Sequence, residues 1–180
     1  MRKLQIGVMG SMADLNYTKE VELIAERVGE LIAEEGGILV FGAEKDSDSL
    51  STVACRGATR KGGLTVGITY GKGKKILQSD ADVIIPTGME RGGGREFVLA
   101  LSCDVVIAIS GGSGTLNELT VAYQAGIPMV VVSGMGGWSD KLAGQFMDNR
   151  QRQMVLAAES PEQAVSIAFS KAREYVNKYE

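Results

Sequence analysis

The segment whose residue types point most directly to chemistry is residues 110–118, with the sequence SGGSGTLNE. Its three glycines let the backbone come within hydrogen-bonding distance of a ligand. A buried strand is predicted before this segment and a helix after it, and the N-terminus of a helix offers unpaired N–H groups and a positive dipole end. We therefore predict a phosphate site formed by Gly111, Gly112, Ser113, Gly114 and Thr115.

The same segment also allows a purely structural interpretation, because Thr115 and Glu118 have the spacing of a helix capping box. A cap needs one polar residue and does not need three glycines, so a ligand site explains the segment better. It is not a Walker loop, since no Gly-Lys-Ser/Thr follows, and the first predicted strand–helix turn, at residues 7–12, lacks the GxGxxG spacing of dinucleotide-binding proteins. We expect a mononucleotide-sized ligand.

The absence of histidine narrows the chemistry further. It excludes Ser-His-Asp and Cys-His nucleophile pairs and the HExxH zinc motif. Acid–base chemistry would have to use carboxylates, lysine, tyrosine or water. Cys55 and Cys103 are far apart in the sequence and have apolar neighbours, so we expect two buried small hydrophobic residues rather than a disulfide or a metal site.

The elements that must position this segment alternate along the chain. Apolar runs predict strands at 4–9, 38–41, 64–69, 83–86, 105–109, 129–132 and 154–157. Patterns with helical spacing lie between these runs, and Ser160, Pro161 and Gln163 have the types that begin a C-terminal helix. The alternation predicts an α/β, Rossmann-like, doubly wound and mostly parallel sheet of about seven strands with helices on both faces.

Ligands of such sheets bind beyond the carboxyl ends of the strands. The loops at Gly10, Gly42, Gly71 and Gly88 therefore join the loop at Gly111 as candidate ligand-binding positions. From these loops we select four further ligand-binding residues, which are Gly10, Ser11, Gly88 and Met89.

Composition and charge narrow the class of protein. With 180 residues and no linker or repeat, the chain is predicted to form one domain over 1–180. The net charge of −3 and the absence of a basic tract argue against a nucleic-acid partner. No apolar run reaches the roughly 18 residues that cross a bilayer, and the N-terminus has no apolar stretch of signal-peptide length. We expect a cytoplasmic protein with a small phosphorylated ligand and no membrane partner.

Residues 110–118 resemble the PGGxGTxxE motif of the LOG (lonely guy) phosphoribohydrolases, whose relatives include putative lysine decarboxylases and molybdenum cofactor carrier proteins. The matching residues are Gly111, Gly112, Gly114, Thr115 and Glu118, and serine replaces the proline. The resemblance covers most of the chain and extends to residues 87–89 and 136–138. It implies an arginine at the start of the preceding helix, which is Arg95 counted without gaps, with Arg91 as the alternative.

The resemblance implies one of two functions. In the LOG branch, the base–ribose bond of a nucleoside 5′-monophosphate is hydrolysed; Glu118 would stabilise the oxocarbenium-like sugar and Arg95 would hold phosphate or ribose oxygens. In the carrier branch, a phosphorylated pterin (the molybdenum cofactor) or a nucleotide is bound without turnover. Neither the hydrolase function nor the carrier function requires an additional cofactor. The decarboxylase label carries little weight, because residues 110–118 contain no Schiff-base lysine.

Three departures from the hydrolase pattern favour the carrier branch or weaken the catalytic assignment. The loop at residues 44–49 is acidic where hydrolases have a glycine-rich loop, extra residues stand at 90–94, and Asn117 replaces a second glutamate. Asp46 and Asp48 could bind a divalent cation, but a solvated loop is the simpler expectation, and no metal site is predicted.

Two further expectations concern packing. Trp138 lies between glycines and a polar segment, so its ring would either stack on a base or close the edge of the core. Members of the family commonly pair through helices beside the site, and the predicted helix that contains residues 97–101 is apolar enough to serve. We therefore predict a homodimer.

Overall fold

A computed structural model describes residues 2–77, 81–90 and 94–179. Its centre is a seven-stranded sheet in which neighbouring strands are parallel throughout the described residues. The strands are β1 (Gln5–Gly10), β2 (Ile38–Ala43), β3 (Leu64–Thr69), β4 (Val83–Pro86), β5 (Val105–Ile109), β6 (Met129–Val132) and β7 (Leu156–Ala158). The helices are α1 (Lys19–Glu34), α2 (Leu50–Arg60), α3 (Arg95–Leu101), α4 (Ser113–Ala125), α5 (Gly137–Leu142) and α6 (Pro161–Tyr179).

Helices cover both faces of the sheet. Ile32 of α1, Val53 of α2 and Phe169 of α6 belong to one buried apolar cluster, whereas Leu99 of α3 and Leu119 of α4 belong to a second. All five residues of β5 are buried, as a parallel strand covered on both faces requires. The predicted doubly wound α/β sheet is confirmed.

The order of the strands places the binding crevice. Across the sheet they run β4-β3-β2-β1-β5-β6-β7, so the chain moves outward from β1 to β4 and then returns to β5 on the other side of β1. Gly10 at the end of β1 pairs in register with Ile109 at the end of β5. Beyond this point, the loop after β1 leads to one face of the sheet and the loop after β5 leads to the other. Ligands of open α/β sheets bind in the crevice between two such loops.

Side-chain caps begin three of the helices. Thr18, Ser49 and Ser160 accept a hydrogen bond from the backbone N–H three residues further on, at 3.4, 3.2 and 3.1 Å. The Gln163 side chain accepts from the N–H of Glu159 rather than from that of Ser160, so the capping box predicted for α6 is shifted by one residue. Each cap satisfies one of the unpaired donors of a first turn.

Several elements differ from the prediction. The last strand is Leu156–Ala158, because Met154 instead forms an isolated antiparallel bridge with Phe146. Helix α5 and a short 3-10 turn at Ala13–Leu15 were not predicted, since both are too short to show a periodic pattern. In the described part of the chain, no helix combines the length and apolar content that a membrane crossing needs. Both cysteines are buried thiols.

Candidate functional site

A cavity of about 430 Å³ lies at the carboxyl ends of β1, β2 and β5. The loops after these strands and the first turns of α3 and α4 form its walls. Its volume lies within the range of roughly 300–1,000 Å³ that is typical of small-molecule sites. The cavity therefore occupies the position that the strand order predicts for a ligand.

The N-terminus of α4 forms one wall of this cavity. The helix begins at Ser113, and Gly112 precedes it as an N-cap that makes no side-chain cap hydrogen bond. Gly112, Ser113, Gly114 and Thr115 all line the cavity. Because the helix begins before Thr115, the capping-box interpretation of Thr115 and Glu118 is wrong. A helix N-terminus without a side-chain cap beside a cavity has the properties of an anion site.

Gly111 and Ser11 fix the conformation of the loop between β5 and α4. The N–H of Gly111 donates to Ser11 Oγ at 2.8 Å, and its carbonyl accepts from the N–H of Trp138 at 3.0 Å. The backbone of Gly111 has a φ of +102°, and an added Cβ would lie 2.6 Å from the Thr115 side chain, so only glycine suits this position. Neither Gly111 nor Ser11 is among the residues that line the cavity.

The backbone conformation of Ser110 explains why serine replaces the proline of the family motif. Its φ is +58°, which the ring of proline cannot adopt. The Ser110 hydroxyl accepts a hydrogen bond from Ser11 at 3.0 Å, and its carbonyl accepts from the Ser139 hydroxyl at 2.8 Å. The loop conformation therefore excludes the proline of the motif, and the serine hydroxyl adds a contact with Ser11.

Arg95, the first residue of α3, lies buried at the opposite wall. Its Nη1 donates to Glu44 Oε1 at 2.8 Å, and its Nη2 lies 3.9 Å from carboxylate oxygens of both Glu96 and Glu118. The guanidinium also lies 3.9 Å from the centre of the Tyr70 ring. An added Cβ on Gly42, in β2, would lie 3.0 Å from this guanidinium, so the glycine leaves room for the arginine.

Burial changes the protonation of this cluster. The pKa of Glu118 is raised to about 8, first because the side chain is buried and then because Glu96 and Glu44 are close; Arg95 opposes the rise. The pKa of Tyr70 is also raised by burial, and its hydroxyl donates to Glu96 at 2.7 Å. At neutral pH the neutral form of Glu118 is therefore favoured.

The structure brings together most of the predicted site residues. Gly10, Arg95, Glu118 and residues 112–115 line one cavity. Gly88 and Met89 do not: the N–H of Gly88 donates to the Gly71 carbonyl at 2.7 Å, and the Met89 carbonyl accepts from Gly71 at 2.8 Å. They form a turn beyond β3 and β4, away from the cavity lining. Arg91 lies outside the described residues.

Two other predictions concern side chains near the site. Trp138 is partly exposed and stacks against Lys141, whose Nζ lies 4.4 Å from the ring centre, and Trp138 does not line the cavity. Asp48 pairs with Arg56 at 2.9 Å. Among the described residues, no group of three His, Cys, Asp or Glu side chains is arranged to hold a metal ion.

Sequence reasoning missed Glu44, Glu96 and Tyr70 as residues of the site. Two of them had a signal in the sequence: Tyr70 comes directly after the predicted strand at 64–69, and Glu96 is the neighbour of Arg95. Glu44 directly follows β2 only because that strand extends to Ala43, two residues beyond its predicted end. Glu44 and Tyr70 also border a second cavity of about 550 Å³, which Lys45, Lys72 and Lys75 line. These two residues therefore stand between the two cavities.

Comparison with known proteins agrees with this geometry. A family model described as the SLOG cluster4 family matches residues 3–165. The chain belongs to this family. The predicted relationship to the LOG-like superfamily is therefore confirmed. The glycine turn of this chain, on which the prediction rested, lies at the cavity described above.

Relatives with solved structures include two that concern the molybdenum cofactor. The molybdenum cofactor binding protein from Rippkaea orientalis is 33% identical with a TM-score of 0.78, over 94% of this chain and 98% of that one. The molybdenum cofactor carrier protein from Chlamydomonas reinhardtii is 29% identical with a TM-score of 0.79, over 96% of this chain and 99% of that one. An uncharacterized protein of Archaeoglobus fulgidus is 37% identical over 75% of this chain and 87% of its own length.

Proposed function

We propose that this SLOG protein is a carrier that binds a phosphorylated small molecule without turnover. The molybdenum cofactor or a nucleoside monophosphate is the class of ligand. The observation that carries the proposal is the N-terminus of α4, which lacks a side-chain cap and lines a cavity of about 430 Å³. The relatives named for binding or carrying the molybdenum cofactor match nearly the whole chain and support the same role.

The state of the acidic cluster favours binding over hydrolysis. A phosphoribohydrolase needs an anionic Glu118 to stabilise positive charge on the sugar. The raised pKa of about 8 favours the neutral form of Glu118 at pH 7. Arg95 makes its shortest ion pair with Glu44, so its charge is directed toward a protein carboxylate. Both residues therefore suit a binding site better than a hydrolytic centre.

Native mass spectrometry of the purified protein tests the proposal. We expect an intact phosphorylated ligand to co-purify, and we expect added AMP or GMP to remain intact after prolonged incubation. Release of free base from either nucleotide would contradict the carrier function.

Hydrolysis is the second candidate, and one observation favours it. Glu118 lies one helical turn from Thr115 in the same cavity, and Arg95 lies 3.9 Å from it. If this candidate is correct, Glu118→Gln should abolish base release while nucleotide binding remains, because the amide keeps the shape of the side chain. Equal release by both proteins would exclude Glu118 as the catalytic group.

A further inference from the structure

The charges along the cavity are not balanced. Glu44, Glu96 and Glu118 line it, and Arg95 is the only cationic side chain among the described residues of its wall. The side chains of all four are at most 8% exposed. Arg95 pairs closely with Glu44 but reaches Glu96 and Glu118 only at 3.9 Å. Two carboxyl groups are therefore poorly compensated in a buried setting, where such compensation matters most.

Unpaired polar atoms mark the same place. Glu96 Oε1 accepts from the Tyr70 hydroxyl, but Glu96 Oε2 is buried with no hydrogen-bond partner in the described part of the chain. Arg95 Nε is likewise a buried donor without a partner there. Native proteins pair nearly all such groups, so an unpaired acceptor and an unpaired donor in the same buried cluster point to a missing binding partner.

The position of these groups relative to the α4 N-terminus restricts that partner. Glu118 lies three residues along α4 from Thr115, a rise of about 4.5 Å. A ligand whose phosphate lies at residues 112–115 therefore has its remaining part near the carboxyl groups. That part must offer N–H donors to the carboxyl groups and an acceptor to Arg95, because the carboxylates of Glu44 and Glu96 would repel an acceptor edge and a neutral Glu118 still accepts through its carbonyl oxygen.

We infer that Glu96 and Glu118, with Arg95, recognise the 2-amino-oxo-pyrimidine edge that guanine and pterins share. This edge presents a ring N–H and an amino group side by side, next to a carbonyl oxygen, and so matches carboxyl acceptors beside a guanidinium donor. Adenine presents an acceptor nitrogen where guanine has the ring N–H. The inference rests on the proposed function and adds to it the part of the ligand opposite the phosphate.

Calorimetric titration with GMP, IMP and AMP at pH 7 tests the inference. IMP keeps the phosphate, ring N–H and carbonyl of GMP but lacks the 2-amino group. The difference between the GMP and IMP affinities therefore measures the contribution of the 2-amino donor. A hydrogen bond to a charged group corresponds to about a tenfold or greater difference in affinity. We expect GMP to bind about tenfold or more tightly than IMP, and AMP to bind weakest, because a site built around a donor rejects analogues that lack it.

Two variants and a control assign this selectivity. In Glu96→Gln or Glu118→Leu, the ratio of GMP affinity to IMP affinity should fall toward one, because the amide offers one acceptor oxygen fewer than a carboxylate and leucine offers none. Glu174→Gln, at an exposed carboxylate on α6, repeats the Glu96→Gln change away from the cavity and should keep the wild-type ratio. Circular dichroism confirms that each variant is folded.

The outcomes separate the inference from the proposed function. Equal affinities for GMP and IMP would overturn the inference and leave the phosphate carrier intact. Selectivity that survives in both Glu96→Gln and Glu118→Leu would overturn the assignment to Glu96 and Glu118. Failure of all three nucleotides to bind would overturn the inference together with the α4 anion site.

Discussion

At the scale of single residues, the glycines of the 110–118 turn have different functions. Gly111 is fixed by backbone conformation and by contact with Thr115, and its N–H is bound by Ser11. Gly114 lies in the first turn of α4, lines the cavity, and has open space around its missing Cβ. Gly111 therefore maintains the loop, whereas Gly114 leaves room for a ligand.

Replacing Gly114 with alanine should separate stability from binding. Alanine favours the helix, so Gly114→Ala should raise the free energy of unfolding by about 0.5 kcal/mol. The added methyl group would occupy space beside the α4 N-terminus, so GMP affinity should fall about tenfold or more. Urea unfolding and calorimetric titration measure the two effects. Gly73→Ala, also in open space but outside this cavity, should bind GMP normally; unchanged affinity in Gly114→Ala would contradict the site.

Glu118 should make stability depend on pH. Its pKa in the folded protein is about 8, above its value of about 4.5 in the unfolded chain, so folding takes up a proton between these values. The stability that this proton supplies is complete below pH 4.5 and is lost as the pH rises through 8. Relative to Glu118→Gln, the wild-type protein should lose up to about 1.4 kcal/mol for each pH unit in this window. Parallel pH profiles of urea unfolding for the two proteins would contradict the pKa.

At the scale of elements, helices α1 and α2 pack with their backbones in contact. An added Cβ on Gly29 of α1 would lie 1.8 Å from the Ala54 carbonyl oxygen, and one on Gly57 of α2 would lie 2.1 Å from the Glu26 carbonyl oxygen. This close packing holds Ser49 and Ser51, at the start of α2, in the wall of the cavity. The spacing of the two helices is therefore set by glycines within them.

Gly29→Ala should destabilise the protein although alanine favours helices. The clash is with backbone, which cannot move aside without separating α1 from α2, so we expect a loss of about 3 kcal/mol or more in the free energy of unfolding. Urea unfolding measures it. Gly114→Ala provides the matched control, since the same substitution in open helical space should have the opposite sign. A stabilised Gly29→Ala variant would contradict this packing.

At the scale of the whole molecule, we propose that the protein is a homodimer that pairs through α3. Phe97 and Leu101 are 53% and 57% exposed on one face of this helix, which also carries Arg95 into the cavity. Pairing there would bury apolar side chains directly behind the acidic cluster. A two-fold dimer uses the same patch on both chains, as a single short helix can provide.

Light scattering after size exclusion tests this assembly. We expect the wild-type protein at dimer mass and Phe97→Glu at monomer mass, because two buried carboxylates would oppose each other across the two-fold axis. Leu23→Glu introduces the same charge at an apolar residue that is also 53% exposed, but on α1, and should stay dimeric. A monomeric wild-type protein would contradict the proposal.

Local patterns in the sequence determined most of the elements and the position of the glycine turn before α4. The strands at 64–69, 83–86, 105–109 and 129–132 have the predicted bounds, because apolar runs between glycine turns specify buried parallel strands. Residues 112–115 line the cavity, where the glycine turn between a buried strand and a helix predicts a ligand.

Only the tertiary structure decided what faces that turn. Glu44 follows β2, Glu96 lies in the first turn of α3, and Glu118 lies in the second turn of α4. They meet around Arg95 because strand order brings the ends of β2 and β5 and the start of α3 to one crevice. Likewise, the hydrogen bond from Gly111 to Ser11 joins residues 100 positions apart. Such contacts depend on sheet order and burial, which no local pattern encodes, and burial in turn raises the pKa of Glu118.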